Sequence, residues 1–87
     1  MRFEFDPVKS TSNKIKHGID LTAAQALWHD DYLLVAPAVI VDEVRFLAIG
    51  RINRQHWTAI YTLRQDVIRL ISVRRSRKEE IGNYESS

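Results

Sequence analysis

The chain has no cysteine, which excludes disulfide staples and thiolate metal sites. It has no apolar run of the roughly 20 residues that a membrane helix needs, and Met1-Arg2-Phe3-Glu4-Phe5-Asp6-Pro7 lacks the apolar stretch of a secretory leader. A cytoplasmic location without membrane contact is therefore expected. No glycine-rich phosphate loop, no His-Glu-x-x-His and no Cys-His zinc set occurs. His29-Asp30-Asp31 is the nearest approach to a cation site, and three adjacent polar residues at a helix end read as a solvated loop. No metal and no cofactor is expected. No repeat, low-complexity segment or boundary divides the 87 residues, so one domain over residues 1–87 is expected.

The 45% hydrophobic content is enough for one core. The net charge of +2 hides an asymmetry: residues 1–42 carry four basic and six acidic side chains, residues 43–87 nine and five. Six of those nine cations fall between Arg64 and Lys78, threading the strand-like run Val67 to Arg75. Such polarity either presents a cationic face to a polyanion or is ordinary solvated surface.

Local signals divide the chain into elements. Arg2 to Phe5 alternates polar and apolar residues and reads as a short strand. Asp6 is a good N-cap, and Pro7 sits where its missing N–H costs nothing. A helix is expected from there to about His17, with Gly18 as its left-handed stop and Lys14, Lys16 and His17 complementing its dipole. Asp20 caps a second expected helix, Leu21 to about Trp28, with an apolar stripe of Leu21, Ala24, Leu27 and Trp28. Tyr32 to Val41 is apolar and β-branched but interrupted by Pro37, which suits an edge strand followed by a loop. Val44 to Arg51, His56 to Leu63 and Val67 to Arg74 form an antiparallel meander. Ser76-Arg77-Lys78-Glu79 matches a capping box and opens a short last helix that Gly82 weakens. The expected class is α+β: an N-terminal helical hairpin packed on a mainly antiparallel sheet of about four strands, with a short C-terminal helix.

With Asn53-Arg54 and Gln65-Asp66 as two-residue turns, one face carries Phe46, Ala48, Gly50, Trp57, Ala59, Tyr61, Leu63, Ile68, Leu70, Ser72 and Arg74. The other carries Leu47, Ile49, Ile60, Ile71 and Val73. The second, aliphatic face is expected under the helical hairpin, and the first is expected to form a shallow groove beside the C-terminal helix. A one-residue change of either turn reverses these assignments.

Phe3-Glu4-Phe5-Asp6-Pro7, Asn13, Lys16-His17-Gly18, Phe46-Leu47-Ala48-Ile49-Gly50, Ile60-Tyr61-Thr62, Ile68 to Arg75 and Tyr84-Glu85 occur in that order. Together they resemble the BrnT family, the toxins of a type II toxin–antitoxin system. The resemblance implies a RelE-like fold and a ribonuclease activity that arrests translation. It also implies neutralisation by a BrnA-like antitoxin with a ribbon-helix-helix region, in a heterotetramer of two toxins and two antitoxins that meets DNA only through the antitoxin. The chain departs from the family pattern at Phe5, Asp20-Leu21, Trp28 and Gln65; a turn at Gln65 that needs positive φ suits glycine better than glutamine.

Metal-independent RNA cleavage needs a base for the ribose 2′-hydroxyl, cations for the phosphate, and an acid for the leaving 5′-oxygen. Arginine suits the middle task because its planar fork meets two phosphate oxygens and stays charged. Arg74 and Arg75 are the first phosphate candidates, with Arg69 and Arg51 in reserve and Lys78 as a less directional RNA contact. Alternatively, one of Arg74 and Arg75 points to solvent and pairs with Glu79 or Glu80. His17, within the family-like Lys16-His17-Gly18, is either an acid or base or a partner of the helix dipole. Tyr61 and Tyr84 either orient substrate or pack helix and sheet; His29 and His56 have no supporting context. Two functions stand: an endoribonuclease toxin, and a noncatalytic binding module whose basic face docks nucleic acid or an acidic protein segment.

Overall fold

A computed structural model describes residues 1–38 and 42–87 of the chain. In chain order the elements are β1 (Arg2–Glu4), α1 (Pro7–His17), a 3-10 helix (Ala23–His29), β2 (Leu34–Pro37), β3 (Phe46–Ile52), β4 (Gln55–Arg64), β5 (Val67–Arg75) and α2 (Lys78–Ser86). The architecture is mixed α+β, with five strands among the described residues in the order β1-β5-β4-β3-β2. That is one more than the expected four or so, because β1 lies parallel beside β5, with Phe3 opposite Ile68. The other pairings are antiparallel. Pro37 ends the edge strand β2, where a missing N–H costs no ladder bond. The rest of the expected Tyr32 to Val41 strand, residues 39–41, lies outside the described residues. No helix among the described residues is long and apolar enough to cross a membrane.

Local chemistry accounts for α1. Asp6 Oδ1 accepts the Val8 N–H at 2.9 Å, and Gly18, at φ 82°, donates its N–H to the Lys14 carbonyl at 3.0 Å. The second helix differs from expectation in kind: it is a 3-10 turn over Ala23–His29 rather than an α-helix over Leu21 to Trp28. Its apolar residues explain why. Leu21, Ala24 and Leu27 recur every third residue and are fully buried, and three residues per turn stacks such positions on one line. The N-cap position is Thr22 rather than the expected Asp20, but Asp20 Oδ1 still accepts the first helical N–H, that of Ala23, at 2.7 Å.

Both meander turns fall where expected. Asn53 and Arg54 have φ of 50° and 72°, the signature of a I′ hairpin, and Gln65 alone is positive in its turn, at 57°, as in II′. Gln65 therefore occupies a glycine-type position. The register holds from Arg64↔Val67 to Tyr61↔Leu70 and then slips at a bulge, after which Ile60 faces Ser72 and Thr58 faces Arg74. Ile71 is the extra residue, and beyond it every β5 side chain changes face relative to the expected pairing. Val73 joins the face of Tyr61 and Trp57, while Ser72 and Arg74 move to the opposite one.

The expected covering of the sheet is reversed. The aromatic face, not the aliphatic one, is the core: Trp57, Ala59, Tyr61, Ile68, Leu70 and Val73 pack with Ile19, Leu21, Ala24 and Leu27. Phe3, Trp28, Tyr61 and Phe46 form a chain of rings with centroids 5.2, 5.4 and 5.4 Å apart. Aromatic rings remove the most area from water, so this face takes the helical layer. Gly50 lets the layer approach; a Cβ there would meet Leu27 and Leu33 carbons at 3.0 Å. The aliphatic face, with Leu47 and Ile60 half-buried, receives α2 over part of its area.

Asn13 supplies the join between α1 and the sheet. Past Arg69, β5 pairs with no strand on its β1 side among the described residues. There Asn13 accepts the Val73 N–H at 3.1 Å and donates to the Val73 carbonyl at 2.8 Å and the Ile19 carbonyl at 2.8 Å. A buried side-chain amide thus stands in for a missing strand.

Candidate functional site

Consecutive strand residues point to opposite faces, so Arg74 and Arg75 part company at the end of β5. Arg74 takes one of the two alternatives open to the pair: it binds Glu80 through both arms of its fork, Nη1 to Oε1 at 2.8 Å and Nη2 to Oε2 at 2.9 Å. Glu80, 7% exposed, also accepts the Arg77 N–H at 2.8 Å and the Thr58 hydroxyl at 3.1 Å. The Arg74 bonds, working against burial and helped by Arg77, the Arg74 charge and Thr58, hold the Glu80 carboxyl down at about 2. The same bonds push the Arg74 guanidinium up. The expected capping box is therefore shifted by one residue. Arg77, not Ser76, is the N-cap and Glu80, not Glu79, is its partner. Only the carboxylate half of the box operates, since arginine has no oxygen to accept an N–H. Ser76 Oγ is engaged elsewhere, 2.8 Å from Thr58 Oγ1.

The expected groove beside the C-terminal helix exists, on the face opposite to the expected one. Of about 470 Å³, it has a floor of Leu47 and Ile60 and a rim of Arg45, Arg74 and Arg77, with Glu79 and Glu80 at the start of α2. Arg75 lies on the other face, exposed, with its guanidinium 5.4 Å from the Trp57 ring centroid. That contact fixes the cation without neutralising it. Among the described residues Arg75, Arg77 and Lys78 form no ion pair. They surround the first turn of α2, and Lys78 is its first residue.

The remaining candidates are dispersed. Arg69 binds Glu4 at 2.7 Å across the β1–β5 pair. Arg51 is exposed, and its N–H donates to Asp30 Oδ2 at 2.9 Å. Tyr61 is buried between Trp28 and Phe46, and burial pushes its phenol up. Tyr84 is buried on α2 and donates its hydroxyl to Asp30 Oδ2 at 2.6 Å; burial, reinforced by Asp30, pushes its phenol up to about 12. His17 is half-buried at the end of α1, in a pocket of about 220 Å³ that it shares with Lys9, Ser12, Lys16 and Ser72. None of His17, Tyr61 and Tyr84 lines the groove that holds Arg74. A concavity of about 660 Å³ beside Phe3 and Trp28 has no arginine or lysine in its wall.

Three groups outside the expected site residues prove central. Glu80 organises the start of α2. Asp30, expected in a solvated loop, instead collects the Tyr84 hydroxyl and the N–H groups of Tyr32 and Arg51. Burial pushes the Asp30 carboxyl up, but those bonds and the Arg51 charge outweigh it and hold the group below its usual range. His56 Nε2 lies 2.7 Å from Glu85 Oε1 and its ring stands edge-on to Tyr84 at 5.4 Å. Apart from Tyr32, two residues from Asp30, the partners of Asp30 and His56 come from distant parts of the chain, and no local motif announces them. Glu80 had a local signal, an acidic residue in a first helical turn, and Glu79 carries the same one.

Residues 5–80 match the family model described as the ribonuclease toxin, BrnT, of a type II toxin–antitoxin system. No curated protein matches the chain.

Proposed function

The chain belongs to the BrnT family of type II toxin–antitoxin ribonuclease toxins, and from that premise we propose that it is an endoribonuclease that cleaves RNA by metal-independent acid–base chemistry and so inhibits translation. The observation that carries the reading is the set of cations at the end of β5 and the start of α2 that form no ion pair among the described residues. Arg75 is stacked and uncompensated, and Arg77 and Lys78 flank the helix end whose free N–H groups favour an anion. Arg75 then contacts phosphate, and Arg74 is a positioning residue whose clamp on Glu80 sets the α2 terminus beside it. Arg51 and Arg69 lie further out, on the face opposite Arg75, as outer RNA contacts. The arrangement we infer is RelE-like, and the partner is a BrnA-like ribbon-helix-helix antitoxin, two copies with two toxins, in the cytoplasm.

The second reading, a noncatalytic binding module, draws on one observation: Tyr61 and Tyr84 are buried away from the arginine groove, and the Tyr84 hydroxyl is bonded to Asp30. Induced expression with growth and intact RNA followed together separates the two. The wild type should arrest growth and degrade RNA, in EDTA-containing lysate as well, and folded Arg75→Ala should cleave about 10²-fold more slowly, as for loss of one charge-stabilising donor. Abundant, folded wild type that leaves growth and RNA untouched would make the chain a binding module.

A further inference from the structure

Helix α1 is amphipathic the wrong way round. Val8 and Ile15 are 73% and 83% exposed, the residues α1 buries are the polar Ser10 and Asn13, and the i, i+3, i+4, i+7 stripe Lys9, Ser12, Asn13, Lys16 is exposed at every position but Asn13. Asn13 is consumed by Val73 and Ile19. The other three line the pocket of about 220 Å³ together with His17 and Ser72, and no carboxylate contributes to its wall. Lys9 and Lys16 form no ion pair among the described residues. The helix dipole explains Lys16 and His17 in the last turn, but it opposes Lys9 in the first turn. Two hydroxyls and two lysines around a cavity of this size are the donors that a phosphate requires and that an apolar or cationic ligand does not.

The cavity sits where β5 runs beyond β1 and bulges at Ile71. Ser72 and Arg74, two positions apart on one strand, share a face, and the bulge sets both on the side opposite the core. They lie about 7 Å apart along the strand, so one polyanion crossing this edge meets both the pocket and the Arg74 groove.

We propose that Lys9, Ser12, Lys16, His17 and Ser72 form a second phosphate site for the RNA strand, which grips a backbone phosphate next to the one held at the β5–α2 end. The inference rests on the ribonuclease reading and adds a binding track that leads away from the cleavage site. The test is fluorescence anisotropy of a single-stranded RNA, 2′-O-methylated to resist cleavage, against salt concentration, for wild type, Lys9→Ala plus Lys16→Ala, and Lys14→Ala. Lys14 lies on the same helix and outside the pocket lining, so its loss controls for net charge; circular dichroism checks that each variant folds. The double variant should bind roughly ten-fold more weakly, with a salt slope shallower by about 0.7, the value for one lost phosphate contact on a single strand. Lys14→Ala should keep both values. A double variant that binds no worse than Lys14→Ala overturns this site while leaving the ribonuclease reading intact. Unchanged RNA binding with weakened antitoxin binding overturns it in favour of a protein interface. Wild type that neither binds nor cleaves RNA overturns both.

Discussion

Replacing Asn13 by alanine should be among the most damaging single changes in the molecule, although it removes no apolar contact of note. Three hydrogen bonds are lost, and the Val73 N–H, the Val73 carbonyl and the Ile19 carbonyl are left without partners. Val73 is fully buried and Ile19 is 6% exposed. An orphaned buried polar group costs about 1–3 kcal/mol. The adjacent pocket lets water reach part of the gap, so the sum is set near the low end, at about 3 kcal/mol. For a domain of this size that corresponds to a loss of roughly 12–24 °C in Tm. Thermal melts followed by circular dichroism read it directly, and urea titration should show a lower midpoint at unchanged slope. Asn13→Asp sharpens the test. It keeps the shape but sets a carboxylate against two carbonyls, so its folded pKa must rise. The folded state then holds the proton longer, and the penalty grows as pH rises through the unfolded value of about 4. A change below about 0.5 kcal/mol for Asn13→Ala, or a pH-independent Asn13→Asp, would refute the view that this amide replaces a strand.

Two other perturbations have definite signs. Glu80 is depressed to about 2 in the folded state, so its contribution is complete above the ordinary glutamate range and is lost as pH falls from about 4.5 through 2, up to about 3 kcal/mol in all. Melts of wild type and Glu80→Gln from pH 7 to pH 2 should therefore converge on the acid side; curves that stay parallel would mean the clamp on Arg74 contributes nothing. Gln65, at φ 57°, stores strain of about 1–3 kcal/mol, and Gln65→Gly returns part of that gain through backbone entropy of about 0.5–1 kcal/mol. Its net effect is stabilisation by about 1 kcal/mol, visible as a Tm higher by about 4–8 °C, and an unchanged or lower Tm would count against a strained turn.

Contacts between residues close in the chain are legible in the sequence. The caps of α1, the Asn53-Arg54 and Gln65-Asp66 turns and the Tyr61↔Leu70 pairing all follow from rules that act over a turn of helix or the length of a hairpin. The cationic end of β5 is equally plain, as is the choice open to Arg74 between phosphate and a neighbouring glutamate. Where two local signals compete, as Glu79 and Glu80 do one residue apart, geometry decides, and Thr58 and Arg74 select Glu80.

The kind and order of most elements, the sign of the charge at the end of β5 and the resemblance to a ribonuclease toxin family are thus properties of the amino-acid order. Which face of the sheet the helices cover is decided by packing, which favours the larger area of the aromatic face, and the faces of Ser72 to Arg75 are decided by a bulge at Ile71 that no residue type marks. Packing in three dimensions also makes Asp30 an anchor rather than a loop, and sets Asn13 at an open strand edge while the lysines beside it line a pocket. Tyr32 apart, the partners of Asn13 and Asp30 lie from 6 to 60 residues away, and side chains so placed are brought together by the assembled core, which local sequence does not encode.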